Sequence, residues 1–360
     1  MANATRFVGL DVHARESACA LFDQASGEVQ TRRISGRPAA TLRWLGQLEQ
    51  PFHAVYEAGP TGYGLARRAR ARGLRLDVCA PGHVRRHPTD RIKTDKRDAL
   101  RLARLLAAGA LHLVRVPEPE EEQLRDLVRC REDVRVDLMR TRHRLSKFCL
   151  RRELHYPGAR NWTLAHRDWL RSLRLEDRAS ELCFEDYLHA HDVLLSRRDR
   201  LEAELGQLVA DSPWAGLVDR LRCLRGIGTL SAVGLCAEVG DFRRFGHPKL
   251  LASYLGLVPS EDASGEQRRL GQITKAGSKH ARRLLVEAAW HYRRPPRVSS
   301  ELRRRQAGQD PATIDIAWRA QRRLYRRWQR HETERGKRGA IVAIAVAREL
   351  SGFVWEIATS

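Results

Sequence analysis

Short runs of alternating apolar and polar residues, punctuated by Gly and Asp, open the chain. Residues 6–13 (RFVGLDVH), 17–23 and 28–35 predict three successive strands. The period then alternates between helical and extended: helix over 39–48, strand over 53–57, helix over 62–73, strand over 74–80 and helix over 94–108. Past residue 116 the apolar positions recur near every 3.5 residues. Leu124, Leu138 and Leu145 interleave with Leu127, Val134 and Phe148, and a second stretch repeats this with Phe184, Tyr187, Leu194, Leu201, Leu205 and Leu208. That spacing predicts either an antiparallel helical pair within one chain or an intermolecular coiled coil, with Arg131 and Arg152 interrupting the first seam. Pro157-Gly158 marks the break between the two helices. Beyond 216 the chain reads as mainly helical.

A three-strand meander followed by alternating helix and strand predicts a mixed α/β sheet of the ribonuclease-H-like kind. The expected organisation is therefore three parts: 1–115, a mixed sheet with helices; 116–215, a helical connector; and 216–360, a mainly helical domain.

Charge sharpens this division. The 360 residues carry 66 basic and 44 acidic side chains, a net +22. Residues 1–115 hold 20 basic against 10 acidic groups, 116–215 hold 18 against 20, and 216–360 hold 28 against 14. Two basic ends flank a neutral middle, which points to a polyanion partner, DNA or RNA. No apolar run reaches the ~20 residues of a membrane span, and the seven scattered cysteines lack a CxxC pair. A cytoplasmic, nucleoid-associated protein with reduced thiols and no membrane partner is expected.

Four carboxylates stand out in the first part. Asp11 ends the first strand, Glu57 ends the fourth, and Asp95 and Asp98 share a face of the helix in RIKTDKRDALRLARLL. Such a set suits divalent metals that act at phosphorus. Alone, each reads equally as a turn residue or a helix-start acid favoured by the dipole. Lys93 and Lys96, among only seven lysines, lie beside them as phosphate-binding candidates.

In the last part, Arg225 and the Gly226-Ile227-Gly228 turn resemble a helix-hairpin-helix, or form a plain helix–helix turn. A polar loop holds Ser260 and Ser264-Gly265, ringed by Arg268, Arg269, Lys275 and Lys279, before an amphipathic helix bearing Arg282. A serine there is a candidate nucleophile at phosphorus. His280 is expected at the surface. The Arg-dense tail from Arg293 to Arg338 interleaves Trp318, Tyr325 and Trp328, which either stack on unpaired bases or fill a core. The His83/His87 and His189/His191 pairs lack a zinc frame and read as structural.

Taken together, GLDVH, YEAGPTGYGL, KTDKRDALRLARLL, LRGIGTLSAVGLCAEVGDFRRF, GLVPSEDASG and GQITKAGSKHARRLLVEAAW resemble, in order, the transposases of the insertion-sequence family numbered one-ten, relatives of the inverting recombinase Piv. The resemblance implies a RuvC-like domain whose DEDD tetrad is Asp11, Glu57, Asp95 and Asp98, binding Mg²⁺ or Mn²⁺. It implies that Ser264 is the nucleophile, with Ser260 outside the motif. It also implies a homo-oligomer, dimer or tetramer, with a composite site from different subunits. Its partners would be donor and target DNA and a noncoding bridge RNA. Two positions depart from the pattern: Ala14-Arg15 where Lys is frequent, and Ser278 where Asn is. The alternatives are a metal-dependent nuclease or junction resolvase without a covalent intermediate, and a noncatalytic nucleic-acid-binding protein.

Overall fold

A computed structural model describes residues 5–81, 94–264 and 267–360, with the side chains of 262–268 and 270 left aside. The chain divides into two compact units, Met1–Glu118 and Pro119–Ser360. Apart from residues 116–118, the connector expected over 116–215 falls with the domain expected over 216–360 in the second unit.

The first unit is built on a six-stranded sheet of order β3-β2-β1-β4-β5-β6. In chain order its elements are β1 (Arg6–Val12), β2 (Glu16–Asp23), β3 (Val29–Ser35), α1 (Pro38–Leu45), β4 (Phe52–Glu57), α2 (Gly64–Arg70), β5 (Leu76–Cys79), α3 (Asp95–Ala107) and β6 (Leu113–Val114). The meander β1–β3 is antiparallel, β1, β4 and β5 run parallel, and the short β6, which the sequence pattern does not reveal, closes the edge antiparallel to β5. The central strands β1 and β4 are apolar on both faces because helices cover both, whereas the edge strand β3 is polar and mostly exposed. Val8, Leu10, Ala54, Tyr56, Leu76 and Val78 pack in one layer with the buried residues of α1 and α2. Phe7, Val55 and Cys79, of opposite parity, pack with Leu102, Ala103 and Leu106 of α3.

Helix α3 forms where it does for local reasons. Thr94 caps its first turn by accepting from the Arg97 amide, Asp95 and Asp98 favour the positive end of the dipole, and Ala99, Leu102, Ala103 and Leu106 make one buried stripe.

The second unit begins with α4 (Pro119–Leu150), α5 (Leu164–Ser172) and α6 (Arg178–Ala210). The heptad pattern resolves as an antiparallel pair within one chain. Arg131 meets Glu202, Arg142 lies 3.4 Å from His191, the Phe148 and Phe184 rings stack at 5.8 Å, and Arg152 donates to Ser180 Oγ at 2.7 Å. The two arginines that interrupt the seam are thus used across it: Arg131 in an ion pair, and Arg152 also 3.8 Å over the Phe148 ring. The pair is only half covered, since Met139, Leu182, Val193 and Leu208 remain exposed.

There follow α7 (Ala215–Leu221), α8 (Thr229–Val239), α9 (Pro248–Tyr254), β7 (Pro259–Ser264), β8 (Gln267–Ile273), α10 (Lys279–Ala289), α11 (Ser300–Gln306), α12 (Pro311–Gln329) and α13 (Gly339–Thr359). Helices α8, α10, α12 and α13 share one large core. The polar stretch expected as a loop is instead the antiparallel hairpin β7–β8, whose alternation of polar side chains carries no apolar signal. No described helix is long and apolar enough to cross a membrane.

Candidate functional site

At Gly9 the backbone of β1 touches α3 directly; any side chain there would overlap the Ala99 carbonyl and the Ala103 amide. This contact brings the start of α3 down beside the end of β1. Asp11, two residues on, shares Gly9's face of the sheet, so its carboxylate meets the first turn of α3.

Ligand atoms of Asp11, His13 and Asp95 all lie within 4.8 Å of one another. His13 Nε2 stands 3.5 Å from Asp11 Oδ1, and Asp98 Oδ1 is 3.1 Å from the Arg101 guanidinium. Burial raises the Asp11 pKa; His13 opposes that, while Asp95 and Asp98 add to it by like charge. Two carboxylates and an imidazole at this spacing fit one divalent ion, whose ligands sit ~2.0–2.6 Å from the metal and hence within ~5 Å of each other. The same cation would relieve the repulsion felt by Asp11.

Glu57 occupies the neighbouring strand. Leu10 pairs with Tyr56, so Asp11 and Glu57 follow at the same level of two parallel strands, and Glu57 is exposed. The structure therefore brings Asp11, Asp95 and Asp98 into mutual electrostatic range and sets Glu57 one strand away. His13 is the member that the sequence reading passed over; its signal was the i+2 spacing from Asp11 on an extended segment.

A cleft of about 390 Å³ adjoins the cluster, lined by Thr31, Arg32, Arg33, Thr94, Asp95 and Lys96. Lys96 thus lies on the cleft beside the carboxylates, with two arginines of β3 that the sequence did not single out. Arg33 is held by two hydrogen bonds to Glu16, at 2.9 and 2.6 Å. Lys93 and the His83/His87 pair lie outside the described residues.

In the second unit, Ser264 ends β7, paired with Gln267, and Ser260 is exposed on the same strand. Gly265 and the side chains of Ser264 and Arg268 lie outside the description. Arg269 is exposed on β8, and Lys275 is an exposed residue with a left-handed φ of 56° whose amide bonds Gly256. Two other expected phosphate ligands serve the fold as well. Arg225 donates to the Arg294 and Pro295 carbonyls at 3.2 and 2.8 Å, and Arg282 to those of Leu255 and Ala276 at 2.8 and 2.7 Å. Gly226 has φ 83° and lies against Ala288, so close packing onto α10 already requires glycine there, whereas Gly228 faces open space. Both glycines line a cavity of about 330 Å³ with Arg225, Arg297 and Arg305.

One expectation is corrected and one alternative is resolved. His280 is not at the surface: it sits between Glu238 (Nδ1 at 3.6 Å) and Glu132 (Nε2 at 3.8 Å), because α8 packs against both α10 and α4. Trp328 is unavailable for stacking on bases; it is fully buried and donates its indole N–H to Glu332 at 2.8 Å. His191 is fully buried, as a structural reading requires, while His189 is exposed. All seven cysteines are free.

A family model described as the transposase IS116/IS110/IS902 family matches residues 218–303, and the DEDD transposase model of the IS110 group matches residues 8–152. The chain is 40% identical over 358 residues to the putative transposase y4qE of Sinorhizobium fredii, covering 98% of this chain and 88% of that one. It is 30% identical over 338 residues to the transposase for insertion sequence element IS1533 of Leptospira borgpetersenii, covering 92% and 98%. A probable family 20 transposase of Pseudomonas aeruginosa is 29% identical over 250 residues, covering 66% of this chain and 70% of its own.

Proposed function

The chain belongs to the IS116/IS110/IS902 family and is a DNA transposase; from that premise we propose that it cuts and rejoins DNA through a serine–DNA intermediate, guided by a noncoding bridge RNA. The observation that carries the metal half of this reading is the meeting of Asp11, His13 and Asp95. Asp11 and Asp95, with Asp98, Glu57 and His13 beside them, would hold Mg²⁺ or Mn²⁺. When bound, that cation supplies Lewis-acid stabilisation of the charge that builds on the phosphate oxygens.

The chain's own groups do the rest. Arg32, Arg33 and Lys96 line the cleft next to the carboxylates and hold the phosphate backbone at the cluster. The Ser264 hydroxyl bonds to phosphorus as the bond from phosphorus to the sugar oxygen breaks, and the serine proton passes to that leaving oxygen. In the second step the hydroxyl of the incoming strand attacks the phosphoserine, and its proton returns to Ser264. No water is consumed, so the energy of the phosphodiester is conserved. The arginines and lysines around the β7–β8 hairpin, Arg269 and Lys275 among them, offset the added negative charge. Base pairing by the RNA supplies sequence choice. The half-covered α4–α6 pair, with Met139, Leu182, Val193 and Leu208 outward, joins copies into a dimer or tetramer.

The test is strand transfer on a donor–target pair with the RNA present, read on a denaturing gel. Asp11→Asn abolishes cleavage while DNA binding persists, and Ser264→Ala gives no covalent protein–DNA band. Normal recombination by Ser264→Ala would remove the serine from the mechanism. Mg²⁺-dependent cutting with free ends and no adduct would favour a nuclease or resolvase, a reading that needs only the carboxylate cluster. Activity independent of any RNA would remove the guide.

A further inference from the structure

One end of the α4–α6 pair carries a second cavity, of about 300 Å³, between the end of α4, the connection that follows it and α5. One wall is aromatic, and leucines of α4 and α5 make much of the rest. Tyr156, Trp162 and Trp169 surround His166, with ring centroids 4.8, 5.0 and 5.5 Å from the imidazole. Lys147 and Asn161, both exposed, stand at its margin.

Three features set this cavity apart from ordinary core packing. Trp162 has φ 66°, a left-handed conformation that is strained for a bulky side chain and that concentrates at functional positions. Its ring is stacked on His191 at 5.3 Å and lies under the Arg142 guanidinium at 5.0 Å. The three aromatic residues remain half-buried although their neighbours Phe148, Leu170 and Phe184 are fully enclosed. Arg142, over the Trp162 ring, is a confined cation: its charge is disfavoured first by burial and then by Arg198 and Arg167. His166 is buried, and burial lowers its pKa, with His191 adding to the effect. Among the described residues neither its Nδ1 nor Arg167 Nε has a hydrogen-bond partner.

We propose that this cavity receives one unpaired nucleobase, stacked on its aromatic wall, with the adjoining phosphate held by Lys147 and Arg142. Stacking accepts any base because every base has a π-face, and the polar margin suits the edges of a base that has left its pair. The phosphate relieves the repulsion among the arginines. Space for one nucleoside excludes a base pair, and a strand that changes partners must unpair bases close to the exchange. The inference rests on the chain being a transposase, and on neither the carboxylate nor the serine assignment.

The experiment uses the full chain carrying Asp11→Asn, so that binding is read without cutting. Short oligonucleotides with one 4-thiothymidine (DNA) or one 4-thiouridine (RNA) are offered single-stranded or in duplex and irradiated. Crosslinks are expected in the peptide containing Tyr156, Trp162 and Trp169 from the single strands and not from the duplexes; the stronger of the DNA and RNA arms identifies the source. Trp162→Gly suits the left-handed backbone while removing the ring, and weakens single-strand binding on the order of tenfold with duplex binding unchanged. Lys147→Ala, at an exposed position, weakens it severalfold and flattens its salt dependence. Crosslinks confined to other peptides, or single-strand affinities of both variants within twofold of the parent, would overturn the proposal. Should Asp11→Asn still cut DNA, the carboxylate assignment fails and these crosslinks keep their meaning.

Discussion

Gly9 of the central strand lies in backbone contact with Ala99 of the helix that carries Asp95 and Asp98, and this one contact fixes how far the helix stands from Asp11. Because the obstructing atoms are backbone, no side-chain rotation makes room.

Gly9→Ala therefore pushes α3 off the sheet. The expected loss is about 1–3 kcal/mol, as for other overpacked sites, together with loss of divalent-metal-dependent cleavage. Thermal unfolding measured beside a cleavage assay checks both; an unshifted midpoint with full cleavage would show that the helix is not set by this contact.

His13 faces Asp11 from an exposed position, so His13→Ala leaves folding unchanged. It raises the Mg²⁺ or Mn²⁺ concentration for half-maximal cleavage on the order of tenfold, as for groups that orient or supply ligands. His13→Gln should recover part of this. A metal titration unaffected by His13→Ala would take the histidine out of the site.

Glu238 predicts an acid limit for the second unit. Burial by itself would raise its pKa, but the adjacent His280 ring and the Arg129 guanidinium prevail and hold it at about 2, below the ordinary 4.5. Arg129 grips it with two bonds of 3.0 Å. A folded pKa below the unfolded one contributes stability above about pH 4.5 that is lost as pH falls towards 2, on the order of 3 kcal/mol in full. Urea unfolding between pH 7 and 2.5 should show this slope, and Glu238→Gln should reduce it; equal slopes would place the acid sensitivity elsewhere.

The cysteines offer a check on burial. Cys130 is exposed on α4, whereas Cys19 and Cys236 are buried and their thiols are pushed up to about 12 by desolvation. Iodoacetamide on the native protein should label Cys130 well before these two. Early labelling of Cys236 would contradict the packing of α8.

Most of the first unit was legible because its strands and helices each carry their own period, and the three-strand opening followed by helix–strand alternation restricts the topology. β6 was not legible, since two residues hold no period. The β7–β8 hairpin was missed for a different reason: PSEDAS and QRRLGQI are mostly polar and show no hydrophobic alternation. The heptads announced two paired helices without saying which partner each takes. Intrachain and interchain seams look alike along one sequence, and only the meetings of Arg131 with Glu202 and of Phe148 with Phe184 show the pairing within one chain.

By itself the sequence determined the periodic elements, the placing of acidic residues at the ends of β1 and β4 and the start of α3, and the concentration of positive charge in its two ends. Those properties depend on residues a few positions apart, so local spacing expresses them. Only the tertiary structure decided that Asp11 meets Asp95 with His13 in reach of both, that His280 is enclosed by two glutamates, and that Trp328 belongs to the core. Each of these depends on segments far apart in the chain meeting across a packed interface, and no short-range pattern encodes which surfaces will meet.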